Sequence, residues 1–181
     1  MAALVTGCLF LVSCENDEQE VKDLGKQSTG TEVAKEVVIT FTTGGKTKAI
    51  LKSPLMLHVI DSANYIEFPK TLEVDFYNDS TGVVESTLTA NYARYKENQE
   101  VIYLKDSVKV KNTKGETLYA QDLYWDRRRT GWEFYTEKPI RIRTLTHLID
   151  GIGLEASQDF KQRVIRKPLG MVNVPSEKFP Q

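Results

Sequence analysis

The chain has 181 residues, 24 basic and 25 acidic side chains, and a formal net charge of −1, so its overall electrostatics make no case for nucleic acid as a partner. Its two cysteines, Cys8 and Cys14, both fall in the first fourteen residues, and its two histidines, His58 and His147, stand 89 positions apart. That composition excludes a disulfide framework, a Cys-ligated zinc or iron–sulfur centre and a cysteine nucleophile beyond Cys14, and it predicts neither a metal site nor a cofactor.

The N-terminus reads as a bacterial lipoprotein signal. An apolar run from Ala2 to Val12, far short of the ~20 residues that span a bilayer, ends at Ser13-Cys14 and is followed by Glu15, Asn16, Asp17 and Glu18. Cleavage before Cys14 would leave that residue first and lipidated. No Lys or Arg precedes the run, the one missing part of the pattern. The alternative is a buried apolar helix ending in a free thiol. Residues 1–13 are thus expected to be the signal, and residues 14–35, polar and without apolar periodicity, a tether. Some 20 flexible residues reach about 25 Å, enough to hold a domain clear of lipid headgroups.

From residue 36 to 175 the pattern changes to period two, and an all-β domain is predicted. Val37-Ile39-Phe41, Leu55-Leu57-Val59, Leu72-Val74-Phe76, Val108-Val110 and Ile140-Ile142 alternate as strands with one buried face do. Turn-forming residues separate them at Gly44-Gly45, Asn78 to Gly82, Asn112 to Gly115, Arg129-Thr130-Gly131, Asp150 to Gly153 and Lys167 to Gly170. This is the spacing of consecutive antiparallel hairpins. Residues 176–181 are expected to form a frayed tail.

A motif recurs along the domain: Leu88-Thr89-Ala90, Leu118-Tyr119-Ala120 and Leu154-Glu155-Ala156. Similar hairpin units, none able to bury its apolar face alone, must stack on one another. In the first two copies the apolar positions step by two and then by three (Leu88, Ala90, Ala93 and Leu118, Ala120, Leu123). A step of three reverses the face of a regular strand, so a bulge or bend is predicted near Asn91-Tyr92 and near Gln121-Asp122. Such bends would curl the sheets.

No assembled catalytic site is legible, and no enzymatic activity is predicted. The 25 acidic residues always offer carboxylate pairs, a signal without specificity. Ten residues are candidates for an inner apolar surface: Leu55, Leu57, Leu72, Phe76, Tyr103, Leu118, Trp132, Phe134, Ile140 and Ile142. Closed sheets would make them an ordinary core; splayed sheets would make them a trough for acyl chains, at about 0.8 kcal/mol per buried methylene. Arg127-Arg128-Arg129, between Trp125 and Trp132, is either a solvated turn or a grip for anionic headgroups. Edge strands are expected at Val37, Ile39 and Phe41 and at Gly170, Val172 and Val174, open to strand addition by a partner.

The run Thr117-Leu118-Tyr119-Ala120-Gln121-Asp122-Leu123-Tyr124-Trp125-Asp126, then Pro139-Ile140-Arg141-Ile142, then Asp150-Gly151-Ile152-Gly153-Leu154-Glu155-Ala156 resembles the LptC family of lipopolysaccharide export, and Leu104 to Val110 resembles the hairpin unit that family shares with LptA and other OstA-like domains. The resemblance spans about residues 37 to 174. It implies a twisted, open β-jellyroll of two facing antiparallel sheets around an apolar groove. It implies a conduit that takes lipopolysaccharide from an inner-membrane ABC transporter of the LptB/LptF/LptG type and passes it to an LptA-like periplasmic protein. The N-terminal edge would face the transporter and the C-terminal edge the LptA-like partner. Gly151 and Gly153 match the family's glycine-bearing turn, where close backbone approach is expected. Family members typically carry an N-terminal transmembrane helix, whereas this chain is expected to use lipid on Cys14, at the periplasmic face of the inner membrane or, by a different sorting, the outer membrane. The competing reading is a structural or adhesive surface lipoprotein with a closed β-sandwich.

Overall fold

A computed structural model describes residues 30–60 and 64–173. Cys14, the signal, most of the tether, Val174 and the tail lie outside the described residues. Eleven strands form one antiparallel sheet: β1 (Thr31–Thr43), β2 (Lys46–Val59), β3 (Tyr65–Phe68), β4 (Leu72–Tyr77), β5 (Val84–Ala90), β6 (Tyr92–Lys96), β7 (Val101–Asn112), β8 (Thr117–Asp126), β9 (Phe134–Arg143), β10 (His147–Ala156) and β11 (Arg163–Asn173). A single 3-10 turn, Glu97–Gln99, is the sole helical element among the described residues. β1 begins at Thr31, so residues 31–35, expected in the tether, belong to the sheet and pair with Leu55 to Val59.

The topology is a meander folded along a crease. One part of β2 pairs with β4 (Ala49 to Lys52 with Phe76 to Glu73) and a later part pairs with β3 (Leu57 to Val59 with Glu67 to Tyr65). β7 does the same, pairing first with β6 and then with β5. β3 and β4 are therefore two parts of one pass across the sheet, as are β5 and β6, and every pass crosses from a β3/β6 half to a β4/β5 half or back.

The crossing points line up. Glu36 on β1 and Asp106 and Ser107 on β7 have φ of 49°, 61° and 55°, and Gly153 on β10 has 77°. Asn91 breaks the strand between β5 and β6, and its N–H donates to the carbonyl of Asp106. Pairing slips between Lys105 and Val108 and between Ala120 and Tyr124. The bends predicted near Asn91-Tyr92 and Gln121-Asp122 are thus two stations on a fold line that crosses the whole sheet.

Folding brings one face of the sheet against itself. Leu51, Val74, Phe76, Leu88, Val110, Leu118 and Ile142 line the inner side of the β4/β5 half; Phe68, Ile102, Leu104, Leu123, Trp125, Phe134 and Leu154 line the other. Rings from the two halves interlock: Phe76 meets Trp125 edge-on at 4.9 Å and Phe134 at 5.7 Å, and Phe41 meets Trp125 at 6.2 Å. Such pairs contribute about 0.5–1.5 kcal/mol each beyond the area they bury.

Two sequences read as turns are strand interior. Asp150 to Gly153 lies within β10, and Lys167 to Gly170 lies within β11. Facing one another, they form a bulge: Asp150 pairs with Gly170 and Gly151 with Pro168, leaving Leu169 as the extra residue. Bulges draw on the same residue types as turns, which is why the composition misleads. Close approach is nonetheless what Gly151 supplies, since a Cβ there would stand 2.3 Å from Cγ2 of Ile165 and 3.2 Å from the carbonyl oxygen of Lys167. Gly151→Val should lower the unfolding free energy by about 1–3 kcal/mol in urea titration. Wild-type stability in that variant would show that β11 can shift away without loss.

Candidate functional site

The inner face is the candidate site, and the register assigns each residue to it or away from it. In the β4/β5 half, Ala49, Leu51 and Ser53 are buried, and their partners Phe41, Ile39 and Val37 share that face. Beyond Pro54 the phase of β2 reverses. Met56 packs on the core, as does Ile66 opposite His58. Leu55 and Leu57, the intervening residues, therefore point to the outer face, with Leu57 opposite Glu67.

Of the ten candidates, Leu72, Phe76, Leu118, Phe134, Ile140 and Ile142 point inward and are buried. Leu55, Leu57 and Tyr103 do not. Ile102 and Leu104 take the inward positions on β7, and Tyr103 stands outside beside Tyr124, which stacks on Tyr135 at 5.1 Å. Trp132 is half-buried in the segment before β9 and belongs to neither strand face. Met56, Ile66, Tyr95, Ile149 and Ile165, not among the ten candidates, are inward residues that are only partly buried. For Met56 and Ile66, no alternation read from one strand alone can cross the crease in phase.

The outer face is polar and aromatic. Glu67 accepts from Arg94 and from the Tyr92 hydroxyl, and burial followed by the Glu67 hydrogen bond pushes the Tyr92 phenol up to about 12. Arg94 also covers the Tyr65 ring at 4.6 Å. These groups neutralise each other and leave no converging set. Among the described residues no group of three or more His, Asp or Glu side chains is placed to hold a metal ion.

Opposite the crease, the tips of the two halves meet and hold the interior shut. Arg163, at the start of β11, donates two hydrogen bonds of 2.9 Å to the two oxygens of Glu116, just before β8. Asn112 donates to the same carboxylate at 2.8 Å. The Ser86 hydroxyl donates to the Gln158 carbonyl at 3.1 Å. The arginines of the predicted triplet separate: Arg127 lies 5.0 Å from the Phe41 ring, Arg128 binds Asp126, and Arg129 covers Tyr135 and pairs with Glu155 at 3.5 Å. They share no common anion site.

Among the described residues β1 is bonded to β2 alone and β11 to β10 alone. Val37, Ile39 and Phe41 lie on the first edge and Gly170 and Val172 on the last. Val33, Val38, Leu169, Met171 and Val172 are all exposed there. The enclosed apolar surface consequently runs across the strands from one open edge to the other, ending in the partly buried Ile39 and Phe41 at one side and Ile149 and Ile165 at the other.

The hydrogen bonds from Arg163, helped by Asn112 and opposed by burial, hold the Glu116 carboxyl below the usual carboxylate range. A depressed folded pKa adds stability that is fully present above the unfolded value and lost as pH falls through the folded one. Glu116→Gln should be less stable than wild type at pH 7 and converge on it below the usual carboxylate range, as denaturant titrations from pH 7 to pH 3 would read. A constant difference across that range would remove the ion pair from the acid response.

A family model described as lipopolysaccharide-assembly, LptC-related, matches residues 1–166. No curated protein matches the chain.

Proposed function

The chain belongs to the LptC-related family of lipopolysaccharide assembly, and from that membership we propose that it is a lipid-anchored bridge in lipopolysaccharide export. It takes lipopolysaccharide from an LptB/LptF/LptG-like ABC transporter, carries the acyl chains along its inner face and delivers them to an LptA-like protein. It is a conduit and catalyses nothing. The observation that carries this reading is the largely apolar inner face running from the β1 edge to the β11 edge, both edges unpaired among the described residues. A lipid moving perpendicular to the strands meets hydrocarbon throughout, and an added strand at either edge prolongs the wall.

The anchor is the lipid on Cys14, at the periplasmic face of the inner membrane. No helix among the described residues is long and apolar enough to cross a membrane. More than one acyl chain on a single residue holds a domain stably at a bilayer.

A closed β-sandwich of a surface lipoprotein would share the filled interior. It would need its edges blunted throughout; here Arg166, Lys167 and Pro168 blunt the middle of β11, while Val33, Val38, Leu169, Met171 and Val172 stay exposed on the two edges. Photo-crosslinking residues placed at Ile39 and Ile149, inward and near the open edges, should yield lipopolysaccharide adducts in living cells. The adducts should depend on the transporter ATPase, and the outward positions Leu57 and Tyr103 should give none. Adducts at no inward position in a folded, anchored protein would favour the closed sandwich.

A further inference from the structure

The buried polar side chains Ser53, Ser86, Asn112 and Thr136, with Glu116 and Arg163 at the rim, each find a hydrogen-bond partner. Trp125 is different. It is 3% exposed, sits on the inner face of β8, and its indole N–H has no hydrogen-bond partner. The other partnerless buried side-chain atoms among the described residues are Nε of Arg94, on the outer face, and Nε2 of His58, whose side chain is about a quarter exposed. Trp125 is thus the deep exception.

A buried donor without an acceptor is costly, and a phenylalanine or leucine would fill the inner face without incurring that cost. The neighbouring rings of Phe41, Phe76 and Phe134 offer only π faces or edges, which accept an N–H weakly. Packing alone gives no use for this N–H. A ligand that brings an oxygen into the hydrocarbon does.

We propose that the Trp125 indole N–H determines specificity, donating to an oxygen carried on an acyl chain: the ester or amide carbonyl that joins the chain to its headgroup, or a hydroxyl on the chain. This rests on the conduit reading above. Phe41 is the ring that yields to the entering chain. It is only partly buried, it belongs to edge strand β1, which has a partner on one side alone, and it meets Trp125 edge-on. Arg127 lies over that same ring, so the cation stands beside the point of entry.

The test follows the indole N–H by 15N-resolved NMR of the full chain, with the Trp125 resonance identified by its loss in Trp125→Phe. Lipid A and a dioleoyl phosphatidylethanolamine are each titrated in detergent, while displacement of a fluorescent fatty acid reports binding independently. A downfield move of the Trp125 proton with lipid A supports the proposal and assigns the oxygen to lipid A when the phospholipid leaves it in place. The same move with both lipids supports it with the shared ester as acceptor. Trp125→Phe should then bind lipid A about threefold to tenfold more weakly. Displacement of the probe with the resonance unmoved overturns the proposal and leaves the conduit standing. Failure of both lipids to displace the probe removes the conduit reading and this inference with it.

Discussion

The fold depends on a constraint of sheets: a face rich in Leu, Ile, Val and Phe has to be covered, and among the described residues no helix supplies a second layer. The molecule covers the face with itself. That requires each pass to bend at the same level, so the backbone irregularities are aligned across the sheet rather than scattered. Glu36, Asp106 and Ser107 adopt positive φ, a conformation that costs side-chain-bearing residues energy. The burial of the rings and aliphatic groups on both sides of the fold offsets that cost.

The crease also sets the wall opposite it. Once the halves are hinged along one line, their far tips converge, and Phe41, Phe76, Trp125 and Phe134 interlock while Arg163 reaches Glu116. The section across the strands is closed on both sides, by backbone at the crease and by side chains at the tips. Along the other axis the core ends in the partly buried Ile39, Phe41, Ile149 and Ile165 of the edge regions. The two uncovered sides are thus set by topology before any particular residue is considered.

Much of this was legible in the sequence. Alternation gave the all-β class, and the two-then-three step in Leu88-Ala90-Ala93 and Leu118-Ala120-Leu123 marked two points of the fold line. What escaped was the phase after a bend. Leu55 and Leu57 continue the apolar alternation of β2, but Pro54 places them outside and Met56 inside. Tyr103 stands outside, while its smaller neighbours Ile102 and Leu104 hold the inward positions of β7. Gly151, Gly153 and Pro168 carry the composition of turns because a bulge asks for the same freedom of backbone. Trp125 is legible in the sequence only as a neighbour of the arginines, and its orphaned N–H depends on long-range packing that local pattern does not encode.

The number of passes has a further consequence. Counting β3 with β4 and β5 with β6 as single passes, the meander runs β1, β2, β3/β4, β5/β6, β7, β8, β9, β10 and β11, an odd number, so the first and last strands point the same way, from the β3/β6 half toward the β4/β5 half. Two such molecules set head to tail, with crease continuing crease, bring β11 of one beside β1 of the next in parallel. Two meeting through like edges pair antiparallel instead, in an isologous contact. The first arrangement is heterologous and leaves a fresh edge after every addition. The sheet therefore has a polarity, and a row built on it has a direction that each member repeats.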